Sequence, residues 1–67
     1  MDRQSPAVWA SAAIGAPVTM TKQGHHPFRG IVADRTADGT ILWVLSSTGI
    51  RKLFHAGDGF HLTPGRR

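Results

Sequence analysis

The 67-residue chain contains no cysteine, no glutamate and no tyrosine. Without cysteine, neither a disulfide framework nor a cysteine-based zinc site can form. The only acids are Asp2, Asp34, Asp38 and Asp58, which leaves little for carboxylate-based catalysis. The longest apolar run, Ile41–Leu45, is far shorter than the roughly 20 residues that a membrane-spanning helix needs. We therefore expect no membrane partner.

Two further features concern location and charge. The apolar part of the N-terminal segment is short and alanine-rich, so no signal peptide is predicted and a cytoplasmic location is expected. Eight lysines and arginines stand against four acids, which gives a net charge of +4. A small basic domain suits a polyanion, and nucleic acid is the commonest one. The alternative is that the charge only keeps the chain soluble, since Arg66 and Arg67 supply half of the excess.

The stretch from Phe28 to Phe54 predicts three consecutive strands, over residues 28–33, 40–45 and 50–54. Between the first two, Asp38-Gly39 is a strong hairpin signal because glycine accepts a positive φ at no steric cost.

The segments on either side predict two more strands and a helix. Ser5-Pro6 is typical of a helix start, and Gly15 of a helix end, so we expect a helix over residues 6–14 with Trp9 docked on the rest of the chain. Residues 17–22 alternate apolar and polar side chains, which predicts a strand with Val18 and Met20 inward.

The end of the chain alternates in the same way. A tight turn or 3₁₀ turn is expected over residues 55–59, followed by a last strand over 60–63. The predicted organisation is therefore a flexible N-terminus over residues 1–4, a short helix within 5–15, a β-barrel over 16–63 and a basic flexible tail over 64–67.

Five such short strands resemble an SH3-like barrel of the kind found in Tudor, KOW and retroviral-integrase C-terminal domains. The matching residues are Gly15-x-x-Val18, Phe28-x-Gly30-x-Val32, Leu42-x-Val44, Gly49 and Asp58-Gly59-Phe60-x-Leu62. The resemblance covers roughly residues 15–63 and implies a mainly β fold, a five-stranded SH3-like barrel preceded by a short N-terminal α-helix.

The same pattern is similar to the small plasmid-borne type II dihydrofolate reductases. That family carries a Val-Gln-x-Tyr motif on the fourth strand, where this chain has Ile50–Phe54, and no tyrosine is present. No Ser-His-Asp spacing, nucleophile elbow or phosphate loop is found either. We therefore predict that the protein is not an enzyme and has no catalytic residues and no cofactor.

Basic side chains supply the candidate nucleic-acid site: Lys22, Arg29, Arg35, Arg51 and Lys52. Contacts of such residues with phosphates would give affinity without sequence readout. An exposed Trp43 or Phe28 would add stacking on unpaired bases. The partner expected on this hypothesis is DNA or RNA.

The middle strand also suggests a second hypothesis. If Leu42 and Val44 point inward, then Ile41, Trp43 and Leu45 point outward. Three explanations remain open: the register is slipped so that Trp43 is core, the N-terminal helix covers the outer face, or a partner does. The third gives a possible interface for a protein partner or a homodimer, formed by Trp9, Ile41, Trp43 and Leu45.

Four histidines complete the candidates: His25, His26, His55 and His61. A zinc site needs three or four ligands, and Asp58 would have to join His55 and His61. We expect exposed or capping histidines and no metal. The leading hypothesis is a non-enzymatic nucleic-acid-binding domain, an accessory to a plasmid, phage or transcription function, and the alternative is a protein-interaction or self-assembly module.

Overall fold

The computed structural model describes residues 6–65 and shows a short helix, five strands and one 3₁₀ turn. The helix α1 spans Pro6–Ala10 and the 3₁₀ turn spans Ala56–Asp58. The strands are β1 Pro17–Thr21, β2 Phe28–Arg35, β3 Ile41–Leu45, β4 Arg51–His55 and β5 His61–Pro64. The prediction of a mainly β chain with five strands after a short helix is confirmed.

All five strands belong to one antiparallel sheet in the order β4-β3-β2-β1-β5. The pairing of β1 with β5 brings the last strand beside the first, so the two edges of the sheet are β4 and β5. Over residues 6–65 no ladder joins these edges, and the sheet is not closed. Closure into a barrel therefore stays a prediction.

The turn between β2 and β3 forms as the sequence predicts. The Thr36 N–H donates to the Ile41 carbonyl over 3.0 Å, and Gly39 has a φ of 78°. The Asp38 carboxylate accepts bonds from the Thr40 N–H at 3.0 Å and from the Thr36 and Thr40 hydroxyls at 2.8 Å each. These bonds, that of the Thr40 N–H foremost, hold the pKa of Asp38 below its ordinary value.

Strand β2 is two residues longer than expected and contains a β-bulge. Val32 pairs with Val44, whereas Asp34 pairs with Trp43, so Ala33 is the extra residue. The sequence suggested a turn from Asp34 onward, but β3 continues the ladder and pairs Arg35 with Leu42.

One face of the sheet carries the hydrophobic core, which we call the inner face. Trp9 packs with the buried strand residues Val18, Met20, Val32, Leu42, Val44, Phe54 and Leu62 and with Ala56. The expectation that Val18 and Met20 point inward is confirmed, and Leu42 and Val44 are buried on the same face. Trp9 is 1% exposed, so the predicted docking of the helix is confirmed as well.

Helix α1 ends at Ala10, four residues before its expected end at residue 14. The Ser11 hydroxyl donates to the Val8 carbonyl over 2.7 Å, a local bond that competes with further helical bonds. Beyond it, the Gly15 N–H donates to the Val32 carbonyl over 2.7 Å, and the Val32 N–H donates to the Ala16 carbonyl over 3.0 Å. Bonding to β2 therefore replaces continuation of the helix.

The chain remains ordered in the sheet beyond residue 63. Pro64 is the last residue of β5, and the Gly65 N–H donates to the Pro17 carbonyl over 2.8 Å. The expected flexible N-terminus 1–4, the expected N-cap Ser5 and the last two residues of the basic tail lie outside the described residues. Within the described part of the chain, no helix has the length and apolar character needed to cross a membrane.

Candidate functional site

The structure distributes the five predicted basic site residues over three places. Side chains alternate along β4, so Arg51 and Lys52 lie on opposite faces of the sheet. Lys52 shares the inner-face side with Phe54, whereas Arg51 lies on the other side with Trp43. The adjacent pair does not form a single basic site.

Arg35 makes a bond within the fold. Its Nε donates to the Ala12 carbonyl over 2.6 Å, and the side chain is half-buried. A hydrogen bond from a charged donor to a main-chain acceptor is among the stronger kinds in proteins. Arg35 therefore holds the segment after α1 against the end of β2.

Lys22 and Lys52 lie beside a cluster of aromatic rings between the two edges of the sheet. We call this cluster the aromatic seam and define it as Lys22, Phe28, Lys52, Phe54 and Phe60. Phe54 belongs to the edge strand β4, and Phe60 directly precedes the edge strand β5. Their ring centroids are 4.9 Å apart in a T-shaped contact. Ring packing thus links the two edges that no ladder joins.

The rings of the aromatic seam form a continuous series. Phe28 lies 5.7 Å from Phe54, and on the far side His25 lies 5.6 Å from Phe60, measured between centroids. These spacings are typical of favourable aromatic pairs. Phe54 is buried, whereas Phe28 and Phe60 are half-buried and leave part of each ring at the surface.

Both lysines of the seam sit over these rings. The Lys22 ammonium is 5.3 Å from the centroid of Phe60, and the Lys52 ammonium is 5.7 Å from that of Phe28 and 5.5 Å from that of Phe54. Each such contact is worth about 0.5–1 kcal/mol at an exposed site. Significant cation–π pairs occur roughly once per 70–80 residues, so three in one cluster concentrate positive charge on an aromatic surface.

Local structure explains how Phe60 reaches the seam. His55 caps the 3₁₀ turn, and its Nδ1 accepts a bond from the Gly57 N–H over 3.0 Å. Gly59 then takes a φ of 89°, which glycine adopts freely, and reverses the chain toward Phe54. Since Nδ1 is the acceptor, the neutral ring carries its proton on Nε2.

The opposite face of the sheet, the outer face, carries a second group of apolar side chains: Ile31, Ile41, Trp43, Leu45 and Leu53. The register places Leu45 opposite Ile31 and places Trp43 opposite Leu53. Ile31 is 43% exposed and Leu53 is 50% exposed. Apolar side chains from three neighbouring strands therefore meet on this surface.

The observed register of β3 distinguishes between the three explanations for its outward-facing side chains. The register is not slipped, because Leu42 and Val44 are buried and Trp43 is half-buried on the outer face. The helix does not cover that face, because Trp9 packs into the core on the inner side. Trp9 therefore belongs to the interior, and the candidate interface consists of Ile41, Trp43 and Leu45 with Ile31 and Leu53.

Two arginines accompany the outer face. Arg51 lies over Trp43, with its guanidinium carbon 5.9 Å from the ring. Arg29 is exposed and borders a groove of about 600 Å³, which Ile31 and Leu45 also line. This face therefore offers a cation over a ring as well, but with one aromatic residue instead of three.

Histidine and aspartate do not combine into a metal site in the described part of the chain. Over residues 6–65, no group of three or more His, Cys, Asp or Glu side chains is placed to hold a metal ion. His55 caps a turn and His25 packs on Phe60. Their observed contacts are structural.

Sequence reasoning missed Phe54, Phe60 and His25 as members of a site, because Phe54 and Phe60 were predicted only as strand residues and His25 only as an exposed or capping histidine. A partial signal was present, since Lys52 and Phe54 are two apart in one strand and must share a face. No protein-family model matches the chain, and searches of the curated proteins and of the solved structures gave no match. Function therefore has to be inferred from the residues themselves.

Proposed function

We propose that the protein is a small, non-enzymatic, cytoplasmic domain that binds nucleic acid at the aromatic seam. The observation that carries the proposal is that Lys22 and Lys52 lie over one series of partly exposed rings. Ammonium groups contact phosphates, and ring faces stack on bases, so the cluster offers both kinds of contact that nucleic acids use.

The overall charge supports the same partner. A net charge of +4 attracts a polyanion and raises the rate of encounter. Three of the four acids lie in the described residues, and two of them are engaged locally: Asp34 accepts from the Arg35 N–H, and Asp38 accepts three bonds within its turn. Neither belongs to the aromatic seam.

Ring packing between β4 and the start of β5 is also the basis for proposing an SH3-like barrel. Phe54 and Phe60 bridge the edges with side chains where a ladder is absent. The biological setting we propose is an accessory role beside a plasmid, a phage or the transcription machinery, where a weak, sequence-independent contact with DNA or RNA is useful.

Two double variants with the same charge change test which surface binds. In Lys22→Glu with Lys52→Glu, both cations of the seam are reversed. In Arg29→Glu with Arg51→Glu, both cations of the outer face are reversed. Fluorescence anisotropy of a labelled mixed-sequence oligonucleotide, followed over a salt series, gives the affinity of each folded variant.

The wild-type protein is expected to bind at low salt and to release the oligonucleotide as salt rises. Binding to phosphates releases counterions from the nucleic acid, so the affinity falls as the salt concentration increases. The seam variant should lose binding, and the outer-face variant should retain most of it. Equal binding by the seam variant and the wild type would refute the site. Absence of binding by the wild type at low salt would refute the function.

Self-association through the outer face is a second candidate function. The observation in its favour is the apolar surface in which the exposed side chains Ile31 of β2 and Leu53 of β4 flank β3. A second copy placed face to face would cover these side chains and Trp43 in a symmetric contact. Apolar association of this kind resists salt, unlike phosphate binding.

Light-scattering mass over a concentration series tests this candidate. A salt-resistant dimer that Leu53→Glu converts into a monomer would support it. Ile50→Glu is the matched control, because Ile50 is slightly more exposed than Leu53, at 58% against 50%, but lies just before β4. A wild-type monomer at every concentration would refute it.

A further inference from the structure

The geometry points to unpaired nucleotides as the ligand of the aromatic seam. We infer that bases of a single strand stack on Phe28 and Phe60 while the flanking phosphates contact Lys52 and Lys22. This inference rests on the proposed function and narrows it, because it names the strand class that the site prefers.

The placement of three phenylalanine rings supports this inference. Phe54 is buried in the core, and its ring centroid lies 5.7 Å from that of Phe28 and 4.9 Å from that of Phe60. Phe28 and Phe60 are each half-buried and pack against the core. Core packing therefore holds two partly exposed rings near each other, and every base has a π-face that suits them.

The positions of the two lysine ammonium groups support it as well. Each ammonium group now lies over a ring, where it makes a weak contact at the protein surface. A base that stacks on the ring replaces this contact with a stronger one. The displaced ammonium stays within reach of the strand on its flexible stem, where the phosphate is the natural acceptor.

Stacking on the rings also disfavours a duplex as the ligand. In a duplex the bases are already stacked on each other, so contact with a protein ring requires unstacking, which costs free energy. Two lysines can still touch the phosphates of a duplex, but such contacts alone bind weakly and do not depend on the rings.

His25 adds a third ring beside Phe60, from the exposed loop before β2.

The test compares a labelled oligothymidylate of about ten nucleotides, a length within the range of single-strand site sizes, with a hairpin duplex of the same phosphate count. Anisotropy is measured for the full-length wild type, for Phe28→Leu and Phe60→Leu, and for Trp43→Leu as the matched control on the outer face. Circular dichroism establishes that each variant is folded.

We expect the wild type to bind the single strand about tenfold or more tightly than the duplex. Each phenylalanine variant should lose about tenfold in single-strand affinity while keeping its duplex affinity and salt dependence. Trp43→Leu should bind as the wild type does. The wild-type preference needs no variant, so the inference can be tested even if a substitution unfolds the domain.

Different results would contradict the preference for single strands and the binding of nucleic acid in general. Equal affinity of the wild type for both ligands, or single-strand affinity unchanged in the folded phenylalanine variants, would overturn the inference and leave phosphate binding in place. Absence of binding to both ligands at low salt would overturn the proposed function together with the inference.

Discussion

The outer face and the aromatic seam both combine apolar side chains with a cation over a ring, but they are assembled differently. On the outer face, Ile31, Leu45 and Arg51 follow one another across adjacent strands in register. In the seam, Phe60 comes from a segment more than 30 residues after Lys22 and Phe28. Local pairing builds the first surface, whereas tertiary packing around the core builds the second.

This difference has a consequence for function. The outer face includes side chains outside the buried core, such as Ile31 and Leu53, which are exposed. The seam instead lies between the edge strands, and its central ring, Phe54, belongs to the core. Stability and the proposed binding site are therefore coupled at the seam and separate on the outer face.

The largest expected effect comes from breaking the inner face at Trp9. Trp9→Ala removes the largest fully buried side chain and should cost about 3–5 kcal/mol, which is comparable to the whole stability expected of a domain this small. We expect the variant to be largely unfolded at room temperature by circular dichroism. Val8→Ala, in the same helix but 40% exposed, is the control and should melt close to the wild type. A normal melting curve for Trp9→Ala would show that the helix does not stabilise the sheet.

A smaller effect is expected at Arg35, which lies at neither surface. Arg35→Met keeps the length of the side chain but removes the bond to the Ala12 carbonyl, and it should lower the free energy of unfolding by about 1–3 kcal/mol. Nucleic-acid affinity of the folded protein should change little. Arg29→Met, a matched change at an exposed position, should alter stability by less than about 0.5 kcal/mol. If Arg35→Met instead weakened binding and left stability intact, Arg35 would belong to the interface.

The smallest effect is expected at the hairpin that joins β2 and β3. The pKa of Asp38 is lowered in the folded protein from its ordinary value of 3.8, chiefly by the Thr40 N–H, so folding favours the carboxylate. Its contribution to stability is present above about pH 3.8 and is lost as the pH falls through the lower, folded-state pKa.

Asp38→Asn should therefore melt slightly below the wild type near neutral pH, and the gap should shrink on acidification below 3.8. Melting temperatures of the two proteins over a pH series give this difference directly. A gap of constant size down to the most acidic pH at which both fold would show that the charge of Asp38 does not contribute.

Much of the sheet could be predicted from the sequence because its signals are local. Alternation placed Val18 and Met20 inward, and Asp38-Gly39 marked the hairpin. The bulge at Ala33 and the early end of α1 were not predicted. Both depend on bonds to partners distant in sequence, such as those between Val32 and residues 15–16.

The candidate site was predicted only in part. Lys22 and Lys52 were named for their charge, but the sequence did not show that Arg51, next to Lys52, would lie on the other face with Trp43 or that Arg35 would bond to the segment after α1. Of the rings, only Phe28 was predicted to stack on bases, because the sequence placed Phe54 and Phe60 in strands without showing that they would meet. Only the packing of Phe60 on Phe54 brings the lysines and rings together.

We propose that nucleic acid binds the aromatic seam and not the outer face. The most direct measurement is a two-dimensional amide NMR titration of the wild-type protein with a short oligonucleotide at low salt. We expect progressive, salt-reversible shifts at Lys22, His25, Phe28, Lys52 and Phe60. Shifts confined to Arg29, Trp43 and Arg51, or no shifts at all, would contradict it.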